Sequence, residues 1–519
     1  MKISADSINA WYKKPVNMRL FFALVTIGII SMFIKPVVAA AFDTDMYFLI
    51  ATGREIVSNG IPHVNVWTVN MSDGFVAQQW LYAVIVYAAD KIGYIGRFLF
   101  IASELLALYL LFCHFFKLKG IDRKLTTVSF VIMILFSQPY MLNIRPELIT
   151  IILLLIECIA LEHYMLSHKA IWLSLLPLSM LLEMNLHASM WPVHYAILLA
   201  YFVPAFYVGC KSNGLYKNWK PMLLSILAMT GIMFVNPYGV DGVLYIIKSM
   251  KADPFSLMHV TECVPAYIFS EVGACMILNI SIMAVLLLKK LQNSTAVNIT
   301  LGFSFLMAYT VRNVMFEPIV LMFMFANLME YVSTIKIDWR KDAVNGIVPL
   351  FIAVDLYFAS YGISSLIALS DVQSGSDITN GLMAIADYID DDIESDDHIF
   401  TGFNAGAYLE YHGLKNVYID ARPELYMTEF IGKDNVDILM EYVTYCVSGQ
   451  NSFRKTVGQG MPISADLMEA WLDKYDFRYM VVDHNTEVYL SAYLSQSDRY
   501  EEVDDLTTTA YMLYQRVDD

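Results

Sequence analysis

The stretch AAFDTDMYFLIATGREIVSNGIP, Ala40 to Pro62, decides how the chain is read. It follows an apolar run long enough to cross a bilayer. Asp43 and Asp45 stand where the chain should leave the membrane. An amphipathic segment follows, with Met46, Leu49, Ile50, Ile56 and Val57 on one helical face, and Gly60-Ile61-Pro62 ends it. This pattern predicts a helix lying in the membrane interface rather than a span. A second such helix is expected from about Ala77 through Trp80, Tyr82 and Tyr87 to Asp90, with aromatic rings at headgroup level. The first external loop, 42–93, thus carries carboxylates and two interfacial helices.

The rest of the chain fits a membrane setting. Of its 519 residues, 57% are hydrophobic and only 16% charged, with a mean hydropathy of +0.51. A soluble globular domain does not need that balance. About eleven spans are expected, at 18–41, 94–116, 124–142, 147–166, 170–185, 190–209, 219–236, 272–289, 296–312, 314–333 and 344–369. The first follows Lys13, Lys14 and Arg19 and ends in Ala39-Ala40-Ala41. Its apolar run exceeds a signal-peptide core of about 7–15 residues, so it reads as an uncleaved span.

Basic loops set the expected orientation. FKLKGIDRK (116–124), SHKA (167–170), CKSNGLYKNWK (210–220), LKKLQNS (288–294) and IKIDWRKD (335–342) all fall on one side if the N-terminus is cytoplasmic. An odd number of spans then places the C-terminus outside. Charge is divided accordingly. Residues 371–519 hold 29 acidic and 9 basic residues, whereas 1–370 hold 21 and 25. The acidic part suits solubility at a membrane face and gives no footing for nucleic acid. After the linker-like DVQSGSD (371–377), helical and strand patterns alternate, including NVYID (416–420) and RYMVVD (478–483). The expected architecture is an α-helical polytopic membrane bundle, 1–370, followed by a small soluble α/β domain, 371–519. The six cysteines show no CxxC spacing, which argues against a zinc site or a disulfide framework.

Polar residues at membrane depth are costly and point to function by default. Asp43, Asp45, Arg145, Asn185, His187, Asn236, Glu262 and the Arg312-Asn313 pair all fall near outer span ends in this topology. That one-sidedness predicts a polar site built at the external surface from several helix ends. Each residue also has a plainer reading. Asp43 can cap the following helix, and Asp45 can sit favourably in its first turn. Arg145 can snorkel, His187 can bond between helices, Asn236-Pro237-Tyr238-Gly239 is turn chemistry, and Glu262 can be solvated. Neither polar residues near mid-membrane nor inverted repeats, the marks of an ion-coupled transporter, are read from the sequence.

DTDMYFLIATGREIVSNGIPHVNVWT (43–68), QQWLY (78–82), IRPE (144–147), MNLHAS (184–189), NPYG (236–239), RN (312–313), FNAGAYLEYHG (403–413) and VYIDARPELY (417–426) follow one another along the chain. In that order they resemble a bacterial family of GT-C-like polytopic membrane glycosyltransferases. The chain departs from that family where an aromatic pair and a histidine usually follow the second aspartate, since Met46, Tyr47 and Phe48 stand there. Asn65 replaces an aspartate usual after the Ile-Pro.

The resemblance implies a multi-pass protein of the bacterial plasma membrane that takes a sugar from a polyprenyl-phosphate donor at the extracytoplasmic face, with inversion. Asp43, then Asp45, is the implied base. Arg145 and Arg312 would hold the leaving phosphate, with Asn185, His187 and Glu262 also in the substrate site. The carboxylates should face the arginines across a gap wide enough for a sugar. No cofactor is required, although Asp43, Asp45 and His187 could ligate a divalent metal. Lipid and a lipid-linked sugar are the implied partners, and the acceptor stays unnamed. A non-catalytic scaffold binding a polyprenyl or glycolipid molecule is the other reading.

Overall fold

The computed structural model describes residues 44–69, 74–121, 143–212, 218–249, 271–288, 294–334, 377–426, 437–448, 450–451, 461–508 and 510–517, with a few isolated positions between. The expected spans at 18–41 and 344–369, and most of 124–142, lie outside them.

The apolar runs form helices. Helices α1 (Thr44–Asn59) and α2 (Trp80–Asp90) come first, and then α3 (Tyr94–Leu118), α4 (Glu147–Ser167), α5 (Leu175–Leu186) and α6 (Trp191–Lys211). Next are α7 (Trp219–Ile232), α8 (Val240–Ser249), α9 (Glu271–Leu288), α10 (Ser294–Tyr309) and α11 (Glu317–Thr334). Four stretches are long and apolar enough to cross a membrane: Tyr94–Leu118, Glu147–Ser167, Ala188–Lys211 and Val311–Met329. They mark the chain as a membrane protein. The remaining described runs make shorter helices, so about eleven spans are not displayed by these residues. Helix α7 shows why one run falls short. Its 14 residues rise about 21 Å, below a hydrocarbon core of about 30 Å, and the Asn236-Pro237 turn stops it.

Helix α4 lies at the bundle centre. It is apolar nearly all round and 78% of its spanning window is buried, against 28% for α3. On α3, Ile101, Leu108, Phe112 and Phe115 face inward, while Leu99, Leu106 and Leu110 remain exposed. Such an apolar exterior is what lipid contact requires.

The C-terminal region contains α12 (Asp377–Asp390), β1 (His398–Thr401), α13 (Phe403–His412), α14 (Ile438–Tyr442), β2 (Gln450–Asn451), β3 (Met461–Pro462), α15 (Ala465–Tyr475), β4 (Phe477–Asp483), α16 (Val488–Leu494), β5 (Tyr500–Glu502) and β6 (Tyr511–Arg516). Its main sheet has the order β1-β4-β6-β5. Strands β1 and β4 pair in parallel, and β6 runs antiparallel to both β4 and β5. The pleat sends Tyr479 and Val481 of β4 into a core with α12 and α13. It sends Met480 and Val482 into a core with α15 and α16. The sheet is therefore covered on both faces.

Helix α1 corrects the sequence reading. The first half of its apolar face is covered by protein: Met46, Leu49 and Ile50 are buried in the same core as α13 and β4, whereas Val57 near its end stays exposed. Arg54 donates to the Glu410 and Tyr411 carbonyls at 2.7 and 2.9 Å, capping the end of α13. The chain after α1 joins the sheet margin, where Val417 bridges both Ile399 and Thr68 in parallel. Gly53 lets α2 approach, because a Cβ there would lie 2.2 Å from the Ala83 oxygen. Helix α2 likewise buries Tyr82, Ala83 and Val86 in protein.

A buried charge cluster fastens this joint. The Arg422 Nη2 donates to both Glu410 oxygens at 3.0 Å, and its Nε donates to both Asp420 oxygens at 3.1 Å. Its guanidinium lies 5.0 Å from the Trp67 ring centre and 5.3 Å from that of Phe48. Burial opposes ionisation of both carboxyls. It keeps Glu410 well above the usual range, whereas the bidentate guanidinium holds Asp420 below it.

Candidate functional site

The head of α4 gathers charge from three distant segments. Asp45 sits in the first turn of α1. Its carboxylate meets Arg145, in the bend before Pro146, at 2.9 Å. Tyr82 fixes that bend by donating to the Arg145 carbonyl at 3.0 Å. Glu147 follows in the first turn of α4, buried, and pairs at 2.5 Å with Arg312 from the 3-10 turn Val311–Phe316. Both arginine side chains retain solvent access, 18% for Arg145 and 41% for Arg312. Arg145, Arg312 and His187 all lie within electrostatic reach of Glu147.

The arrangement continues inward. Thr150 donates to Glu183 Oε1 at 2.7 Å and lies 2.9 Å from His187 Nδ1. The one hydroxyl proton is committed to Glu183, so His187 Nδ1–H must donate to Thr150. His194 then bridges two carboxylates, with Nδ1 3.0 Å from Glu157 and Nε2 3.2 Å from Glu183. Glu157, Glu183 and His194 are wholly buried. Spacings of three and seven residues put Glu147, Thr150 and Glu157 on one face of α4.

Several expected site residues take other roles. Asn185 is a staple: it accepts from Trp80 Nε1 at 3.1 Å and donates to the Leu181 and Val235 carbonyls. Asn236 bonds within its own turn, and Asn313 donates to the Leu306 carbonyl near the end of α10 and to the Thr310 hydroxyl. Asp43 and Glu262 lie outside the described residues. The sugar-wide gap between carboxylate and arginine is not found for Asp45, which pairs directly with Arg145. At the edge of an apolar bundle, direct pairing offsets the desolvation that separation would leave uncompensated. Of the residues that could ligate a metal, Asp45 is engaged by Arg145 and His187 by Thr150, while Asp43 lies outside the described residues; among the described residues no group of three His, Cys, Asp or Glu side chains is arranged to hold a metal ion.

Sequence reasoning missed Glu147, although it stands in the quoted IRPE, and Thr150, Glu157, Glu183 and His194. Their signal was present as polar residues inside runs 147–166, 170–185 and 190–209. Averaged hydropathy conceals them. Glu157 is midway along α4, so a polar residue does stand at the middle of a helix long and apolar enough to cross a membrane.

No protein-family model matches the chain, and no curated protein matches it.

Proposed function

We propose that the protein is a membrane glycosyltransferase moving a sugar from a polyprenyl phosphate to an acceptor hydroxyl, with inversion. The observation that carries this reading is the meeting of two guanidinium–carboxylate pairs, from segments far apart in sequence, at the head of α4. Arg145 and Arg312 are accessible and can take the two faces of a phosphate. Glu147 and Asp45 hold them in place until it arrives. In the step itself the acceptor oxygen attacks the anomeric carbon. The carbon–oxygen bond to phosphate breaks, and the leaving phosphate carries away the electron pair. Asp45, released from Arg145 when phosphate binds, takes the hydroxyl proton; Asp43 is the alternative base. In this reading the head of α4 faces the extracytoplasmic side of a bacterial plasma membrane, the N-terminus is cytoplasmic, and the C-terminal domain lies over the site.

The test is transfer of radiolabelled sugar from short-chain polyprenyl-phosphate sugars to membrane acceptors. Asp45→Asn should lower transfer at least 100-fold, on the order expected for a lost general base. Arg312→Ala should weaken donor binding. Full activity of Asp45→Asn together with an unchanged Asp43→Asn would remove the aspartates as bases. The direct Asp45–Arg145 pair favours the second reading, a non-catalytic binder of polyprenyl phosphate. That reading is selected if wild-type protein binds the lipid but transfers no sugar. Reporter fusions after Lys341 and after Asp519 should report opposite sides; agreement between them would break the orientation.

A further inference from the structure

We propose that Glu157, Glu183 and His194 form a proton-binding site inside the helical bundle, loaded from the head of α4 through His187 and Thr150. The inference stands apart from sugar transfer, whose balance ends with a proton on an aspartate that water can reach.

Charge counting comes first. Two ionised carboxylates and one imidazolium leave a net negative charge in an apolar interior, which is costly. Neutrality needs one proton beyond the imidazolium. Geometry says where it can go. Glu157 Oε2 is buried and has no hydrogen-bond partner among the described residues. A buried oxygen without a donor is poorly served as carboxylate and well served as a protonated acid. His194 contacts a carboxylate through each ring nitrogen, so its proton can be handed either way.

Connection comes second. Glu183 Oε1, Thr150 Oγ1 and His187 Nδ1 form a series of contacts of 2.7 and 2.9 Å, and His187 in turn lies within electrostatic reach of Glu147 at the α4 head. The charged groups facing this series are Glu147, Arg312 and, beyond them, Arg145 and Asp45. The other side is different. Lys119, Glu162 and Tyr201 make a separate cluster lower on α4, with contacts of 2.7 and 2.9 Å. Five residues, a rise of about 7.5 Å, separate Glu162 from Glu157. Among the described residues no hydrogen bond links the two clusters.

The experiment uses the full chain in lipid nanodiscs. Dicyclohexylcarbodiimide, an apolar reagent that adds to protonated carboxyls, is applied at a series of pH values, and adducts are mapped by mass spectrometry. Glu157 or Glu183 should carry the adduct, and labelling should fall at least ten-fold as pH is raised through a single midpoint. His194→Gln removes the neighbouring cation and should move that midpoint to higher pH by about one unit, a ten-fold rise in proton affinity. A purely structural histidine would leave it in place. Thr150→Val should slow proton exchange after a pH jump, followed by infrared absorption of the acid carbonyl. Infrared difference spectra of wild-type protein with 13C-labelled glutamate need no substitution, so they stand even if a variant fails to fold. Absence of adducts on both glutamates at every pH, or labelling insensitive to pH, overturns the proposal. Protection by sodium ions at fixed pH also overturns it, assigning the site to a metal cation instead.

Discussion

Two buried clusters, each with two carboxyl groups and one basic side chain, are solved in different ways. In the C-terminal region Arg422 serves Glu410 and Asp420 with bonds along both edges of a guanidinium that stays charged. In the bundle, His194 stands between Glu157 and Glu183, and its own nitrogens and both Glu157 oxygens lack well-formed hydrogen bonds. A permanent cation with its donors committed makes a fastening. A titratable one with donors left imperfectly placed makes a site that can change occupancy.

The comparison breaks most sharply at Arg422. Arg422→Ala leaves two buried carboxyls uncompensated and should destabilise the protein by about 3–5 kcal/mol. Arg422→Lys should recover part of this. Denaturation followed by tryptophan fluorescence, with Trp67 beside the cluster, measures both; an unchanged midpoint would show that the cluster does not fasten the joint.

Glu487 sharpens the comparison as a buried carboxyl with no cation. Burial, only partly offset by the Tyr442 hydroxyl at 2.8 Å and the Asp483 N–H at 2.7 Å, pushes it up to about 8. The folded state keeps its proton where the unfolded chain, titrating near 4.5, has lost it. Its stabilising contribution is complete below the unfolded value and lost as pH rises through about 8. The slope is about 1.4 kcal/mol per pH unit. Glu487→Gln should flatten that slope, as read from denaturation midpoints at several pH values. A slope unchanged in the variant would assign it to other groups.

Smaller effects follow. Gly53→Ala forces α1 away from α2 and should cost about 1–3 kcal/mol, visible as faster proteolysis of the first loop. Asn185→Ala removes the staple to Trp80 and should cost about 1 kcal/mol. Its donor affinity should stay unchanged, whereas a substrate-binding asparagine would weaken binding.

Legibility in the sequence followed the length of each signal. The four long apolar helices and strand β4 could be read because their periodicities run through many residues. Asp45, Arg145 and Arg312 could be read because charges at span ends are conspicuous. The cover over α1 could not be read. An amphipathic helix shows the same pattern whether lipid or α13 lies on it, and its partner is some 350 residues away. Asn185 and His187 stand two residues apart yet have unrelated duties, which only their neighbours in space distinguish. Glu157, Glu183 and His194 were hidden by the apolar residues around each.

The bond between Arg54 and the Glu410 carbonyl spans 356 positions of sequence. A ribosome adding about 5–20 residues each second needs roughly 20–70 s to make that distance. For that interval the newborn α1 has its apolar face made and its cover not yet translated. Such a segment must wait against lipid, or be shielded by a chaperone, until the final quarter of the chain emerges. A stop codon placed before Phe403 therefore harms more than the missing domain, because it strands the beginning of the protein as well.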